Sequence, residues 1–329
     1  MIRPLRKVVG LGLLEAEEGD AVHKYILKRF LMLVPVLLGV IIIMFTLSEF
    51  VPGDPASIIL GEGAQPADIA RVREEFRLDD PFIIRLLTYA GNVARLDFGI
   101  SWSTRRPVHE EIFARFPHTI RLATFGIIVA LFVGIPLGII AAIKQYTVFD
   151  TGATFFALLG VSIPNFWLGM MLILFFTVQL NLLPATGFIE PAQWIMPTIA
   201  ISTSSAGIIM RMTRSSMLEC IRQDYIRTAR AKGQKEFVVI LRHALRNALI
   251  PVTTTAGLSF GMLLSGAILT ETIFAIPGLG RYMVESVLRL DWPTAIGGVL
   301  LIAMAFAVVN LFVDILYAFL DPRIRSQYK

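Results

Sequence analysis

Residues 225–252 read YIRTARAKGQKEFVVILRHALRNALIPV and form the most basic stretch of a mostly apolar chain. The stretch lies between two apolar runs that are each long enough to cross a lipid bilayer. A charged, helix-patterned block between two such runs has to face one of the two aqueous sides. The side it faces, and the surface it contacts there, decide what the chain does.

The overall composition is typical of an integral membrane protein. The chain has 329 residues, of which 55% are hydrophobic and 17% charged, and its mean hydropathy is +0.70. A soluble domain is roughly half apolar or less and about a quarter charged. The single cysteine, Cys220, excludes an internal disulfide and a cysteine-based metal site.

Six apolar runs reach the length of about 20 residues that a membrane-spanning helix requires. They do not alternate between polar and apolar residues, which favours helices over the strands of a barrel. The fourth run is less apolar than the others and rich in Ser and Thr. We therefore predict an all-α integral membrane fold with six transmembrane helices, over residues 30–51, 118–143, 151–178, 194–212, 249–276 and 294–320.

The segments outside the predicted spans differ greatly in length. The loop over 52–117 is long, and prolines suited to a first helical turn predict three short amphipathic helices within it, over 66–77, 81–95 and 107–116. The other segments are a tail, the basic loop, a short loop and a second tail, over 1–29, 213–248, 277–293 and 321–329. In the first tail, EAEEGD follows a short apolar core where a signal peptide would carry small residues. We therefore expect that tail to be uncleaved.

Lysine and arginine are concentrated on one set of loops. If the N-terminus is cytosolic, seventeen of them fall in the predicted inner segments, which are 1–29, 144–150, 218–248 and 321–329. Two fall in the short outer loops, 179–194 and 276–293. The long loop carries eight Arg against ten acidic residues, and loops of that length translocate largely regardless of charge. The positive-inside rule thus predicts that both termini and the basic stretch are cytosolic.

The basic stretch predicts a helix, a glycine turn and a second helix that leads into the fifth span. Ile221, Tyr225 and Ala229 recur at helical spacing, and apolar residues resume that spacing after Gly233. Glycine there suits a left-handed helix cap. The residues alone leave two interpretations open, a helix resting on anionic headgroups and a docking helix for a cytosolic partner. The small residues near Gly233 favour docking, because they let another surface approach closely.

The motif RTARAKG followed by LRHALRNALIP resembles the cytosolic loop of binding-protein-dependent ABC importer permeases. Alignment on Gly233 puts the usual Glu-Ala-Ala triplet at Arg227, Thr228 and Ala229, so the acidic residue is absent and one alanine stays in register. This departure is similar to the dipeptide/oligopeptide/nickel subfamily. Over about 300 residues the resemblance also rests on FVPGDPA, VSIPNFWLG, ETIFAIPGLGRYMVESVLRLDWP and VNLFVDILYAFLDPR. These motifs resemble the subunit with a long outer loop after its first span.

The resemblance implies a type I ABC importer permease fold in a bacterial or archaeal cell membrane. The implied partners are a second homologous permease, two ABC ATPase subunits and an extracytoplasmic substrate-binding protein, with no nucleic acid. The sequence contains no G-x-x-x-x-G-K-[ST] motif, so we expect ATP and Mg²⁺ to be bound by the partner subunits and no cofactor by this chain. Di- and oligopeptides are the expected cargo, with nickel, glutathione or another small solute as alternatives.

The resemblance also implies which residues act in coupling. The candidate contacts with the ATPase are Asp224, Tyr225, Arg227, Thr228, Ala229, Lys232 and Gly233. Polar residues within spans are functional candidates, so pathway or gate roles are expected for Asn165, Arg211, Glu271, Asn310 and Asp314. Glu271 is expected to pair with Arg281, and a structural role is the first expectation for it. The candidate contacts with the binding protein are Trp102, Arg105 and Arg106; packing of the loop over the bundle is the alternative.

Two other classes of protein fit the sequence poorly. A membrane-embedded enzyme needs a nucleophile, base or metal constellation within its spans. The four histidines fall in loops or at span ends, and no H-E-x-x-H motif occurs. A passive channel has no need of a helix–glycine–helix block that docks a cytosolic partner. No catalytic or metal-ligating residue is therefore expected.

Overall fold

A computed structural model describes residues 31–50, 54–61 and 63–320 of the chain. The predicted tails over 1–29 and 321–329 lie outside the described residues. Within the described residues every regular element is a helix, and the only strand-like pairing is an isolated bridge between Ile100 and Pro107. The predicted helical membrane fold is confirmed at this level.

The bundle is built from long helices and one bent element. The long helices are α1 (Leu31–Glu49), α5 (Val108–Ile143), α8 (Pro191–Ile221), α11 (Leu245–Ile273) and α13 (Trp292–Leu320). The bent element comprises α6 (Val148–Ser162), α7 (Asn165–Leu172) and a π-helical turn, Ile173–Gln179. The short helices are α2 (Pro55–Leu60), α3 (Pro66–Glu75), α4 (Phe82–Val93), α9 (Asp224–Ala231), α10 (Glu236–Val238) and α12 (Leu279–Leu288). A second π-helical turn, Val239–Ala244, joins α10 to α11.

Among the described residues, four helices are long and apolar enough to cross a membrane, and the bent element makes a fifth if it counts as one span. Helix α8, which contains the predicted fourth span, does not reach that apolarity. It packs against α5, α6 and α11 and makes the most extensive helix–helix contacts in the molecule. Five of the eight Ser and Thr residues on α8 are buried in the protein, where they need not be replaced by apolar ones.

A stripe of small residues brings α5 against α8. Gly126, Ala130, Gly134 and Gly138 recur every fourth residue on one face of α5 and are buried. A Cβ atom on Gly138 would lie 2.6 Å from the Cβ of Thr213, so no larger residue fits there. Small residues at this spacing let two membrane helices approach closely, and here they hold α8 in the centre of the bundle.

The predicted third loop helix, over 107–116, is wrong as a separate element. It is the first part of α5, which continues through Pro117 to Ile143. The helix that contains the predicted second span, 118–143, therefore starts ten residues before that span. Proline removes one backbone donor and commonly ends a helix, but tertiary packing of the turns on both sides of Pro117 keeps this one continuous.

The predicted third span is not one straight helix. The chain breaks between Ser162 and Asn165, and the two helical parts meet at 99°. Pro164 precedes α7 in an extended conformation, since it cannot donate a hydrogen bond and disfavours helix at the residue before it. The bend redirects the chain within the bundle.

Further differences lie at the ends of predicted segments. The predicted fourth span, 194–212, extends to Pro191–Ile221, and the fifth is helical from Glu236 to Ile273. The predicted loop over 277–293 contains α12, which the sequence reading missed. The helices predicted at Pro66 and near Pro81 occur close to their expected bounds.

Candidate functional site

We call the end of the bundle that carries α9 the basic end and the opposite end, next to residues 54–107, the long-loop end. At the basic end the predicted helix, glycine turn and second helix are present. Helix α9 ends at Ala231, and Gly233 adopts a φ of +75°. The Gly233 amide donates to the Arg230 carbonyl at 2.9 Å, and the Gln234 amide donates to the Ala229 carbonyl at 3.4 Å. This pair of bonds is a Schellman cap, which requires a left-handed residue at the glycine position.

The inner face of α9 is held by an apolar cluster. Ile226 and Ala229 are buried together with Met217 on α8, Ala142 at the end of α5 and Ala248 on α11. Ala229 was expected to contact a partner, and this is a correction: it is 6% exposed and faces the bundle. Its place three residues after Ile226 puts it on the same inward face of the helix.

The outer face of α9 carries the other predicted coupling residues. The exposed residues among them are Asp224, Tyr225, Arg227, Thr228, Lys232 and Gly233. Tyr225 is 41% exposed, and its phenol oxygen accepts a hydrogen bond from the Asn247 side chain at 2.9 Å. That bond ties the exposed face of α9 directly to the start of α11. The surface is polar, net basic and rigidly mounted.

A bidentate ion pair closes the glycine turn. Arg230 donates to both carboxylate oxygens of Glu236, at 3.1 Å and 2.6 Å. The hydrogen bond to Glu236 raises the pKa of Arg230 above its ordinary value. Because Glu236 begins α10, the pair links α9 to the helical segment that leads into α11. The two sides of the glycine turn are therefore joined through side chains as well as through the backbone.

A second ion pair lies at the basic end between α6 and α8. Arg214 donates through Nε and Nη2 to the two oxygens of Asp150, at 2.6 Å and 2.8 Å. Asp150 is buried, and it also accepts from the Tyr146 amide at 3.0 Å. Arg211, the predicted pathway residue one turn earlier, is exposed on α8. The sequence reading did not foresee Asp150, whose partner is 64 residues away.

At the long-loop end, the fully buried Glu271 connects three helices. Thr119 on α5 donates to Oε1 of Glu271 at 2.6 Å, and the Arg281 amide on α12 donates to Oε2 at 3.0 Å. The Thr119 hydroxyl also accepts from the Leu279 amide at 2.9 Å. The expected side-chain pair of Glu271 with Arg281 is wrong, because the Arg281 guanidinium binds Glu285 at 2.8 Å. The carboxylate instead sits at the helix N-terminus, where backbone amides favour a negative charge.

Two glycines make room for this carboxylate. A Cβ atom on Gly278 would collide with the Glu271 carboxyl group, and one on Gly280 would lie 3.0 Å from its Oε2 atom. One turn further along α12, the Arg115 guanidinium stacks 3.7 Å from the centre of the Tyr282 ring. Residues 274–280, FAIPGLG, therefore form a turn that packs around the Glu271 carboxylate and holds α12 against α5.

The predicted binding-protein contacts lie on a turn held by Asp291. Asp291 is fully buried and accepts from the Trp102 amide at 3.0 Å and from the Ser103 hydroxyl at 2.8 Å. Arg105 and Arg106 are exposed, while Trp102 is partly buried and lines a cavity of about 340 Å³. Sequence reasoning missed Asp291, although Asp before Trp-Pro at a helix start is a signal for an N-cap.

The remaining predicted pathway residues are not brought together. Asn165 begins α7 and is partly buried, and among the described residues its side chain makes no hydrogen bond. Asn310 lies on α13, and its Oδ1 atom is buried. The side chain of Asp314 lies outside the described residues.

One sequence motif that is typical of serine hydrolases does occur in this chain. Residues 257–261 read GLSFG, which matches G-x-S-x-G. That motif activates its serine on a sharp strand-to-helix turn. Here Ser259 is buried in the middle of α11, so the structural context of the motif is not met.

Comparison with known families matches nearly the whole described chain. Residues 134–326 match the family "Binding-protein-dependent transport system inner membrane component". Residues 22–123 match "Binding-prot-dependent transport system membrane comp, N-term". The second match ends and the first begins within α5, with ten residues between them.

Curated relatives extend the likeness over most of the chain. The dipeptide transport system permease protein DppB of Alkalihalophilus pseudofirmus is 44% identical, over 92% of this chain and 99% of that protein. DppB of Escherichia coli strain K12 is 43% identical, with the same coverage.

A solved structure shows the same fold. "Inward facing conformations of the MetNI methionine ABC transporter" matches with a TM-score of 0.50 and 15% identity, over 66% of this chain and 96% of that one. The resemblance read from the motifs is therefore confirmed, and the chain is a permease subunit of an ABC importer rather than an enzyme. It belongs to the family of binding-protein-dependent transport system inner membrane components.

Proposed function

We propose that the chain forms half of the translocation pathway of an ATP-driven importer of di- and oligopeptides. The observation that carries the proposal is α9, a rigidly mounted helix with an exposed basic face at the loop where the family docks its ATPase. The names of the relatives, which are dipeptide transport permeases, support peptides as the cargo.

We infer six spans with both termini in the cytosol. The position of α8 supports counting it as a span, because it packs against α5, α6 and α11 of the bundle along its buried face. The excess of Lys and Arg in the predicted inner segments supports the orientation. The basic end is then cytosolic and the long-loop end extracytoplasmic.

At the cytosolic end, α9 is the seat for an ABC ATPase. Its exposed contacts are Asp224, Tyr225, Arg227, Thr228, Lys232 and Gly233. Ala229 holds α9 against the bundle from its buried face. The cluster around Ile226 and the pair between Arg230 and Glu236 connect α9 to the ends of α5 and α11. ATP and Mg²⁺ are bound by the ATPase pair, and closure of that pair moves α9 as a rigid body and both helices with it.

At the extracytoplasmic end, the turn bearing Trp102, Arg105 and Arg106 meets the substrate-binding protein. The buried bonds from Asp291 support this role, since they fix the turn to the first residues of α13. Glu271 acts as the gate residue by fixing α12. A second homologous permease supplies the other half of the pathway, next to Asn165, Arg211, Asn310 and Asp314.

The test is peptide uptake by the complete transporter in proteoliposomes. The complex contains this chain, the second permease, both ATPases and the binding protein. Arg227→Glu reverses a charge on the exposed face of α9, and we expect uptake and binding-protein-stimulated ATP hydrolysis to fall together. Arg71→Glu, at an exposed position on α3, is the matched control and should retain both.

The same vesicles separate the cargo from the mechanism. A labelled dipeptide should accumulate, and unlabelled nickel or glutathione should not compete with it. Uptake of nickel or glutathione without uptake of dipeptide would refute the peptide assignment and leave the importer intact. Unchanged coupling in Arg227→Glu would instead refute the role of α9.

A further inference from the structure

Helix α4 has apolar residues on two of its faces. Leu86, Tyr89, Ala90 and Val93 pack against the apolar core at the long-loop end. On an adjacent face, Ile83, Ile84 and Leu87 are 59%, 46% and 66% exposed. These three residues fall within two turns of one helix and form a continuous apolar strip. A strip of this kind in a loop needs a cover other than water.

The dimensions of α4 narrow the choice of cover. It has 12 residues and is too short to span a bilayer, which requires about 20. It is also not a core helix, because none of its residues is fully buried. Apolar helices of this length that neither span nor lie in a core commonly lie in the membrane interface.

Contacts with α1 fix the depth of α4. The Phe45 ring lies 5.7 Å from the Phe82 ring and 5.7 Å from the Tyr89 ring. Arg85 of α4 forms an ion pair with Glu49, the last residue of α1. Helix α4 therefore packs on the final turn of a spanning helix, at the boundary between bilayer and water.

Its only charge is also placed as an interfacial helix requires. The Arg85 guanidinium is held by Glu49 on α1 and stands 5.9 Å from the centre of the Phe45 ring. The strip of Ile83, Ile84 and Leu87 carries no charge. Helix α1 itself is 6% buried over its most apolar window, so the rest of this chain leaves nearly all of that apolar surface uncovered. The apolar strip on α4 extends that surface sideways.

We propose that α4 is an interfacial helix whose strip, Ile83, Ile84 and Leu87, is inserted into the leaflet on the long-loop side. The occupant of this surface is lipid acyl chain, not the binding protein. The strip holds the long loop down on the membrane next to α1. Arg105 and Arg106, which are exposed on the same loop, are then left for soluble partners. The inference concerns the membrane alone and does not depend on the cargo.

The experiment is spin labelling of the assembled transporter in nanodiscs. In a Cys220→Ser background, single cysteines replace Ile83, Ile84 and Leu87 in turn and receive a nitroxide. Collision rates are measured with oxygen, which concentrates in the bilayer, and with a water-soluble nickel complex. Leu38, exposed on α1, is the lipid reference, and Arg71, exposed on α3, is the water reference.

We expect the oxygen-to-nickel ratio at all three positions to shift from the value at Arg71 toward the value at Leu38. The shift should be present without the binding protein and unchanged when it is added. A ratio equal to that at Arg71 would overturn the proposal. So would labels that are water-accessible alone and become immobile only when the binding protein is added. Uptake by the same variants is scored separately, so failure of this inference is distinct from failure of the proposed function.

Discussion

The hydroxyl of Thr119 is predicted to hold α12 in place. It donates to Glu271 at 2.6 Å and accepts from the Leu279 amide at 2.9 Å, and all three residues are buried. Thr119→Val keeps the shape and removes both bonds. A hydrogen bond to a charged group contributes about 1.5–3 kcal/mol, and a buried amide left unpaired costs about 1–3 kcal/mol. The two contributions add up to about 2.5–6 kcal/mol, and a loss of about 3 kcal/mol, near the low end, is the expected value.

The assay is hydrogen exchange of the α12 amides in the purified transporter. A loss of about 3 kcal/mol in the local opening free energy speeds exchange on the order of a hundredfold, since each factor of ten corresponds to about 1.4 kcal/mol. The amides of Leu279 and Arg281 should respond most. Thr119→Ser keeps the hydroxyl and loses one methyl group, which costs about 1 kcal/mol, so its exchange should stay within roughly tenfold of wild type. If Thr119→Val left the protection of α12 unchanged, the argument that Thr119 fixes this helix would fail.

Further predictions concern the cap, the loop turn and the ion pair at the basic end. Gly233→Ala forces a side chain into the left-handed region and should cost about 1–2 kcal/mol, seen as faster exchange at the end of α9. Gly91→Ala on α4 is the control, because a Cβ there meets open space. Exchange of the amides around position 91 should be unchanged or slower. Asp291→Ala removes the acceptor for the loop turn and should speed trypsin cleavage there; an unchanged rate would contradict the role of Asp291. Arg214→Met leaves a buried carboxylate unpaired and should cost roughly 3 kcal/mol, lowering the melting temperature, whereas Arg211→Met, at an exposed position, should not.

Local pattern was sufficient for a large part of this fold. Apolar runs of spanning length located the long helices, and proline at a first helical turn located α3 and α4. Gly233 was assigned as a turn because glycine adopts the left-handed conformation of a helix cap without a steric penalty. Each of these features depends on residues within a few positions of one another.

The features that sequence reasoning missed depend on distant partners. Thr119 and Glu271 are 152 residues apart, and Ser101 and Asp291 are 190 apart. The periodicity of a sequence does not indicate which residues that far apart form a hydrogen bond. The predicted partner contact of Ala229 is wrong for a related reason. Helical spacing shows which residues share a face of α9, but not whether that face points toward the bundle or toward solvent.

Prolines were the least predictable single residues. Pro117 leaves α5 continuous, whereas Pro164 accompanies a 99° break. The same lost backbone donor has opposite outcomes because neighbouring helices support one site and redirect the chain at the other. The packing of those neighbours is not visible in the local sequence.

Photocrosslinking from α9 tests the central claim most directly. Tyr225→p-benzoylphenylalanine places a probe on the exposed face of α9, and the same substitution at Tyr146, which is 86% exposed at the basic end, provides the matched comparison. Coupling through α9 predicts that the probe at position 225 crosslinks to the ATPase subunit in the assembled transporter and that the yield changes when ATP binds. The account would be contradicted if that probe reacted only with lipid.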